Sequence, residues 1–343
     1  MDEAAMKVWL VGKDGQLGRA VCAAAPLRWR LRATGPEEVD IRDRDAVMTY
    51  AERSDPELII NAAAYTAVDR AEDEPELAEA VNARGAQHVA EAAAATGAGL
   101  VQISTDFVFD GTTSRPYPPE ALPNPLGVYG ASKWRGEQVV QAQAGLRAVI
   151  VRTAWVYAAG GHNFVSTMLR LMREKPEIRV VADQIGTPTW ASNLARAVIS
   201  LGQSLASQAG PGADTSEAGV ESAVEEPRQA AREGFDNWSP RGQSPNADLG
   251  RVKADARQDT PVYHFTDAGV ASWYDFAVAI QEEALAKGLL ERAVPIHPIG
   301  TEAFPTRAQR PAYSVLDKGS CWARLGWSPP HWRVALREAL AEF

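Results

Sequence analysis

Val8-Trp9-Leu10-Val11-Gly12-Lys13-Asp14-Gly15-Gln16-Leu17-Gly18 runs from a four-residue apolar stretch straight into three glycines spaced G-x-x-G-x-x-G. The apolar stretch reads as a short buried strand. The glycines after it allow a tight turn and let backbone N–H groups approach a pyrophosphate, which then sits on the N-terminus of the helix that follows. Position is what gives the spacing its meaning, because the same glycines in a loop would be an ordinary turn. A dinucleotide fold is the expectation, with Gly12, Gly15, Gln16, Leu17 and Gly18 as cofactor-binding residues.

The rest of the chain extends this pattern. Leu58-Ile59-Ile60, Leu100-Val101-Gln102-Ile103 and Ala148-Val149-Ile150-Val151 repeat the short apolar run, and Arg30–Thr34 supplies a second strand. Helix-favouring stretches separate them at Arg19–Ala25, Arg44–Ala51, Glu76–Ala95 and Ser132–Ala144. Strands alternating with helices predict an α/β fold: a Rossmann-type, doubly wound parallel sheet covered on both faces. Residues 1–155 form the expected nucleotide-binding domain. Residues 156–343 form mainly a smaller α/β substrate-binding domain. Its helices are expected at Asn163–Glu174, Ala191–Leu201, Trp273–Ala286 and Trp332–Phe343, with strands at Arg179–Ala182 and Val262–Thr266. Gln203–Thr260 interrupts it. That segment is rich in Gly, Pro, Ser, Ala, Gln and charge, and its large apolar residues are few, so it is expected to be a disordered insertion in a surface loop.

Composition narrows the partners. The net charge of −9 disfavours a general nucleic-acid-binding surface. Cys22 and Cys321 are the two cysteines, too few for a disulfide framework or a cysteine-rich zinc site, which fits a reducing cytosol. The N-terminal residues carry two acids before a short apolar run, so neither a signal peptide nor a membrane span is expected, and a cytoplasmic protein is.

Chemistry-bearing residues gather where strands should end. The strand Arg30–Thr34 closes on Thr34, where NAD enzymes usually carry an acid for the adenosine ribose. That leaves room for a 2′-phosphate, which Arg32 and Lys13 could approach. Asp40-Ile41 comes next, with Asp40 beside the adenine; Asp43 fits better as the cap of the following helix. Asn61-Ala62-Ala63-Ala64-Tyr65-Thr66 follows the third strand. Its small residues let a flat cofactor lie against backbone, so Ala64, Tyr65 and Thr66 are expected to line it. Asp69, Glu72 and Asp73 read as a capping and solvated cluster.

Ser104-Thr105-Asp106 closes the fourth strand, where a hydroxyl can donate to a carbonyl oxygen as charge develops. The plainer reading makes Asp106 a turn cap. Tyr129-Gly130-Ala131-Ser132-Lys133 follows a Pro-rich loop and opens a helix. At i and i+4 the phenol and the ammonium share one face. A nearby positive charge favours phenolate and lowers the tyrosine pKa, and such a phenol can hand a proton to a carbonyl. Thr105, Tyr129 and Lys133 are therefore the expected catalytic group.

These motifs resemble the extended short-chain dehydrogenases, most closely the dTDP-4-dehydrorhamnose reductases. The resemblance rests on Gly12–Gly18, Ile60–Asp69, Ser104–Gly111, Pro125–Gly130, Arg152–Tyr157, Asp183–Thr189 and Arg310-Pro311, and covers nearly everything outside the insertion. It implies reduction of the C4 ketone of a dTDP-deoxysugar by NADPH or NADH, NADPH slightly favoured. Tyr129 would be the proton donor, Lys133 would hold the nicotinamide ribose, and Thr105, Asp106 and Trp155 would face the sugar nucleotide. Trp155 has a second reading as core. Some members dimerise through magnesium held by glutamates. Ala20 and Ser192 stand at the matching positions here, so no metal site and a monomer or weak homodimer are expected. The alternatives are a reductase or epimerase of another nucleotide 4-keto sugar, or a catalytically silent regulatory subunit.

Overall fold

A computed structural model of the chain describes residues 5–207 and 260–343. Its centre is a six-stranded parallel sheet. The strands are β1 (Met6–Val11), β2 (Trp29–Thr34), β3 (Leu58–Asn61), β4 (Gly99–Thr105), β5 (Ala148–Thr153) and β6 (Val262–His264). They lie in the order β6-β5-β4-β3-β1-β2. The chain moves outward from β1 to β2, then returns to the far side of β1 to lay down β3. This reversal opens a crevice at the carboxyl ends of β1 and β3, the place where open α/β sheets bind ligands.

Side-chain alternation explains why these strands read as unbroken apolar runs. Val8, Leu10, Leu58, Ile60, Val101, Val149 and Val151 pack on one face. Trp9, Val11, Ile59, Leu100, Ala148 and Ile150 pack on the other. Both faces are covered, so neither set can be polar. The second face takes α2 (Arg44–Ser54), α3 (Ala86–Thr96) and α4 (Val128–Ala142). The first takes α1 (Gln16–Ala24) and the later helix Ala191–Ser207, through Val21, Leu194 and Val198.

Three expectations are corrected. The helix expected over Glu76–Ala95 is interrupted by a π-helical turn, Ala80–Gly85, between Pro75–Glu79 and α3. The turn presents Asn82 to a neighbouring loop, the use to which such bulges are often put. Secondly, the helix that begins at Ala191 runs to Ser207, so the insertion does not begin at Gln203; residues 208–259 lie outside the described residues. Lastly, that helix and β6 come from the 156–343 section yet belong to the central sheet and its covering layer. Burial drives this: Leu194, Ala195 and Val198 are completely buried against the sheet, and β6 caps the edge of β5.

The remainder of that section builds its own core. Phe164–Glu174, Trp273–Ala286 and Trp332–Ala339 pack around Tyr157, Leu169, Phe276, Ile280 and Leu336. Short strands tie it together: Ile178–Val181 pairs with Ile296–Ile299, and Ile185–Gly186 with Ala271–Ser272. Among the described residues no helix is long and apolar enough to cross a membrane.

Candidate active site

The turn after β1 is built for close approach. Gly12 has φ +89°, and a Cβ there would lie 2.6 Å from the backbone nitrogen of Ala63. This pins the end of β1 to the loop after β3. Helix α1 begins at once, its N-cap Gly15 making no side-chain cap, and its first turn holds no acid. Its leading N–H groups are therefore left to an anion, as a dinucleotide pyrophosphate would require. A Cβ on Gly18 would sit 2.1 Å from the Gly12 carbonyl oxygen, so Gly18 packs the helix onto the turn.

Two cavities open along the carboxyl edge. The first, about 320 Å³, is lined by Gly12, Gly15, Asp40, Ile41, Ala64 and Tyr65. Its flat apolar walls and terminal carboxylate suit an adenosine. Asp43 caps α2, accepting from the N–H groups of Asp45 and Ala46, which leaves Asp40 for the cavity. The buried Asn82 amide accepts from the Tyr65 N–H at 2.9 Å and donates to its carbonyl at 3.1 Å, holding the Ala62–Thr66 loop flat. The Tyr65 hydroxyl itself turns to Glu74, at 2.6 Å.

The second cavity, about 620 Å³, adjoins the glycine turn. Gln16, Leu17 and Thr66 line one side; Thr105, Asp106, Tyr129, Lys133 and Trp155 line another. All three expected catalytic residues thus reach one space. Tyr129 stands in the first turn of α4, with Lys133 one turn on. Gly130 allows α4 to come this close, since a Cβ there would meet the Phe107 carbonyl oxygen at 2.1 Å. Thr105 accepts from the Phe107 N–H, so Thr105, not Asp106, caps the 3-10 turn that follows β4.

Charge in this wall departs from expectation. Burial pushes the Tyr129 phenol up to about 12; the Thr105 hydroxyl opposes the shift and the neighbouring Asp106 carboxylate adds to it. Burial outweighs the lowering expected from Lys133, whose ammonium donates to the Ile103 carbonyl at 2.7 Å. Burial brings Lys133 itself down to about 8, against the pull of Glu137. Glu137 lies a further turn along α4, completely buried, in an ion pair with Arg152 at 2.7 Å. Ser104 donates to the same carboxylate, and Arg152 also reaches the Pro119 carbonyl. Removing one member would strand a buried charge at a cost of about 3–5 kcal/mol. Asp106 is buried, its carboxyl raised to about 6 by burial against hydrogen bonds from Ser314 and Thr105. Its Oδ2 and the Thr153 hydroxyl are buried without a hydrogen-bond partner in a cavity wall, where they suit a polyhydroxylated ligand.

Trp155 faces the cavity, and it stacks on Trp273 with ring centroids 3.5 Å apart. Its φ of +48° is in the left-handed region, a strain of about 1–3 kcal/mol that clusters at ligand sites. The Asp183–Thr189 stretch stands behind this aromatic wall. Gln184 accepts from the Trp273 indole N–H, and a Cβ on Gly186 would collide with the Trp155 ring at 2.5 Å. Asp69, expected in a capping and solvated cluster, keeps 43% of its side chain exposed and forms a two-point ion pair with Arg310. Among the described residues no group of three or more His, Cys, Asp or Glu side chains is placed to hold a metal ion.

Comparison with known proteins supplies the family. The family model described as the RmlD substrate binding domain matches residues 6–215 and 247–343. A dTDP-4-dehydrorhamnose reductase from Aggregatibacter actinomycetemcomitans is 34% identical over 337 residues, covering 98% of each chain. The chain belongs to the dTDP-4-dehydrorhamnose reductase family. A solved member of this family from Bacillus anthracis, in complex with NADP, is 31% identical, with a TM-score of 0.78 over 98% of this chain and 99% of its own. A UDP-glucose 4-epimerase from Thermotoga maritima shares the fold alone, at a TM-score of 0.71 and 16% identity over 98% of each chain. As a dTDP-4-dehydrorhamnose reductase family member the chain is an oxidoreductase with a Rossmann-type sheet.

Asn82, Glu137 and Trp273 escaped the sequence reading as site residues, while Glu72 entered it only within a capping and solvated cluster and Arg152 only within a motif. Two left a signal. Asn82 is a polar, helix-disfavouring residue inside an Ala-rich run. Glu137 continues the i, i+4 series from Tyr129 and Lys133.

Proposed function

We propose that the chain reduces the C4 ketone of dTDP-4-dehydro-L-rhamnose to dTDP-L-rhamnose, with NADH or NADPH as reductant and Tyr129 as proton donor. The observation that carries this reading is the convergence of Thr105, Tyr129 and Lys133 on one cavity that adjoins the glycine turn. A bound reduced nicotinamide supplies the hydride that the C4 carbon accepts. Tyr129 is protonated at neutral pH, since its phenol lies at about 12. It gives its proton to the ketone oxygen as the C–H bond forms, and is reprotonated before the next turnover. Thr105 donates a hydrogen bond to the same oxygen, and Lys133 offsets the charge of the transient phenolate. Asp106 and Thr153 have free polar atoms for sugar hydroxyls, and Trp155 and Trp273 give a flat wall to the nucleotide.

The reading is tested by following NADH and NADPH oxidation with a panel of dTDP-4-keto sugars. Oxidation is expected with dTDP-4-dehydro-L-rhamnose. Tyr129→Phe should lower kcat by roughly a hundredfold to ten-thousandfold while cofactor binding survives. An unchanged rate in that variant would remove Tyr129 from the chemistry. Turnover of sugar without loss of reduced cofactor would point to epimerisation instead.

A further inference from the structure

Two cations were available from the sequence to meet a 2′-phosphate on the adenosine ribose, Arg32 and Lys13. Arg32 lines a separate cleft with Lys7, Arg53 and Asp55. Lys13 forms an ion pair with Glu38 in the loop after β2. The same carboxylate accepts from the Gly35 N–H at 2.8 Å, and Gly35 lines the adenosine cavity. Glu38 thus occupies both the Lys13 ammonium and the Gly35 backbone donor at the end of β2. Arg42, also in the cavity wall, is taken by Asp40, its Nε lying 2.9 Å from each carboxylate oxygen.

The rest of the loop adds negative charge. Asp14 lines the cavity, and a Cβ on Gly35 would lie 2.1 Å from its Oδ2. Glu37 and Asp14 both act on Lys13 electrostatically, and neither forms an ion pair among the described residues. Thr34 offers nothing in compensation, because its side chain is buried inside the sheet, where its hydroxyl accepts from the Trp9 indole. Asp14 and Asp40 line the cavity, Glu37 and Glu38 add negative charge in the adjoining loop, and the two cations there, Lys13 and Arg42, are already paired. A ribose hydroxyl can donate to a carboxylate. A phosphate dianion there meets repulsion and finds its donors occupied.

We infer that this chain discriminates against the 2′-phosphate and binds NADH in preference to NADPH, with Glu38 as the specificity-determining residue. The inference rests on the reductase reading and on the first cavity being its adenosine subsite.

Calorimetric titration of the full chain with NADH and with NADPH, in the absence of sugar, tests it. NADH should bind about tenfold more tightly at low ionic strength, and the gap should narrow as salt screens the loop. Glu38→Gln removes the charge that holds Lys13, although its amide oxygen can still accept from the Gly35 N–H, so it should bring the ratio of the two dissociation constants to within about threefold. The same ordering should appear with ADP against adenosine 2′,5′-bisphosphate. NADPH binding as tightly as NADH to the natural chain would overturn the inference, and so would an unchanged ratio in Glu38→Gln. If neither nucleotide binds, the reductase reading fails and this inference fails with it.

Discussion

Glu72 accepts a hydrogen bond from the backbone N–H of Val128 at 2.8 Å, across 56 residues of sequence. Val128 is the first residue of α4, and Tyr129 follows it. The N-cap residue Gly127 provides no side-chain cap, so a carboxylate from another segment satisfies an orphan donor of the helix that carries the proton donor. Gly127 also leaves the room, since a Cβ there would lie 2.5 Å from the Glu72 Oε1.

Glu72→Ala should therefore lower stability by about 1 kcal/mol, the usual worth of a cap. The first turn of α4 would fray, and kcat should fall by about twofold to tenfold with little change in KM. Glu72→Gln keeps the acceptor and should recover most of both. Denaturant melts paired with steady-state kinetics would check this. Equal kcat in the alanine variant and the natural chain would show that Tyr129 does not depend on this cap.

Much of this site was legible in the sequence, for a physical reason. Backbone-determined features leave local marks: the glycines of a tight turn, small residues after β3, the i, i+4 spacing of Tyr129 and Lys133. The sheet was legible too, because strands buried on both faces must be apolar throughout. What was hidden depends on contacts distant in sequence. Nothing near Glu72 announces that it caps α4, and nothing near Thr34 announces that its hydroxyl turns inward to Trp9. Charge balance was hidden for the same reason. The tyrosine was expected to be lowered by its lysine neighbour, but burial of the phenol outweighs that neighbour.

The lysine sets an alkaline limit on activity. Burial holds Lys133 at about 8, so it is cationic at neutral pH and loses its proton above that value. In the proposed reaction the lost charge is the one that offsets the phenolate, and kcat should decline with a midpoint near pH 8. Stability should move the opposite way. The unfolded lysine binds its proton more tightly than the folded one, so between about 8 and its ordinary value of 10.5 rising pH relieves the cost of burying the cation. A pH–rate profile of Lys133→Met should be low throughout and lack the limb near 8. The same limb in that variant would assign it to another group.

Asp267 carries a strong pH signal between pH 5 and 8. It is completely buried beyond β6, where one carboxylate oxygen accepts from the Trp190 N–H and the other from the Asn193 amide, each at 2.9 Å. Burial nevertheless raises its carboxyl to about 7, with Glu338 adding to the shift against these two hydrogen bonds and Lys318. The folded state thus holds a proton that the unfolded chain releases near its ordinary value of 3.8. The sign follows: this contribution to stability is fully present below 3.8 and is lost as pH rises through about 7. Between pH 5 and pH 8 the loss should amount to about 2–3 kcal/mol. Asp267→Asn cannot titrate, and its amide can accept only one of the two donors, so the variant should be less stable at pH 5. Its stability should then fall less steeply toward pH 8, and the two urea-melt curves should converge. Parallel curves would mean that Asp267 is ionised throughout, its two donors outweighing burial.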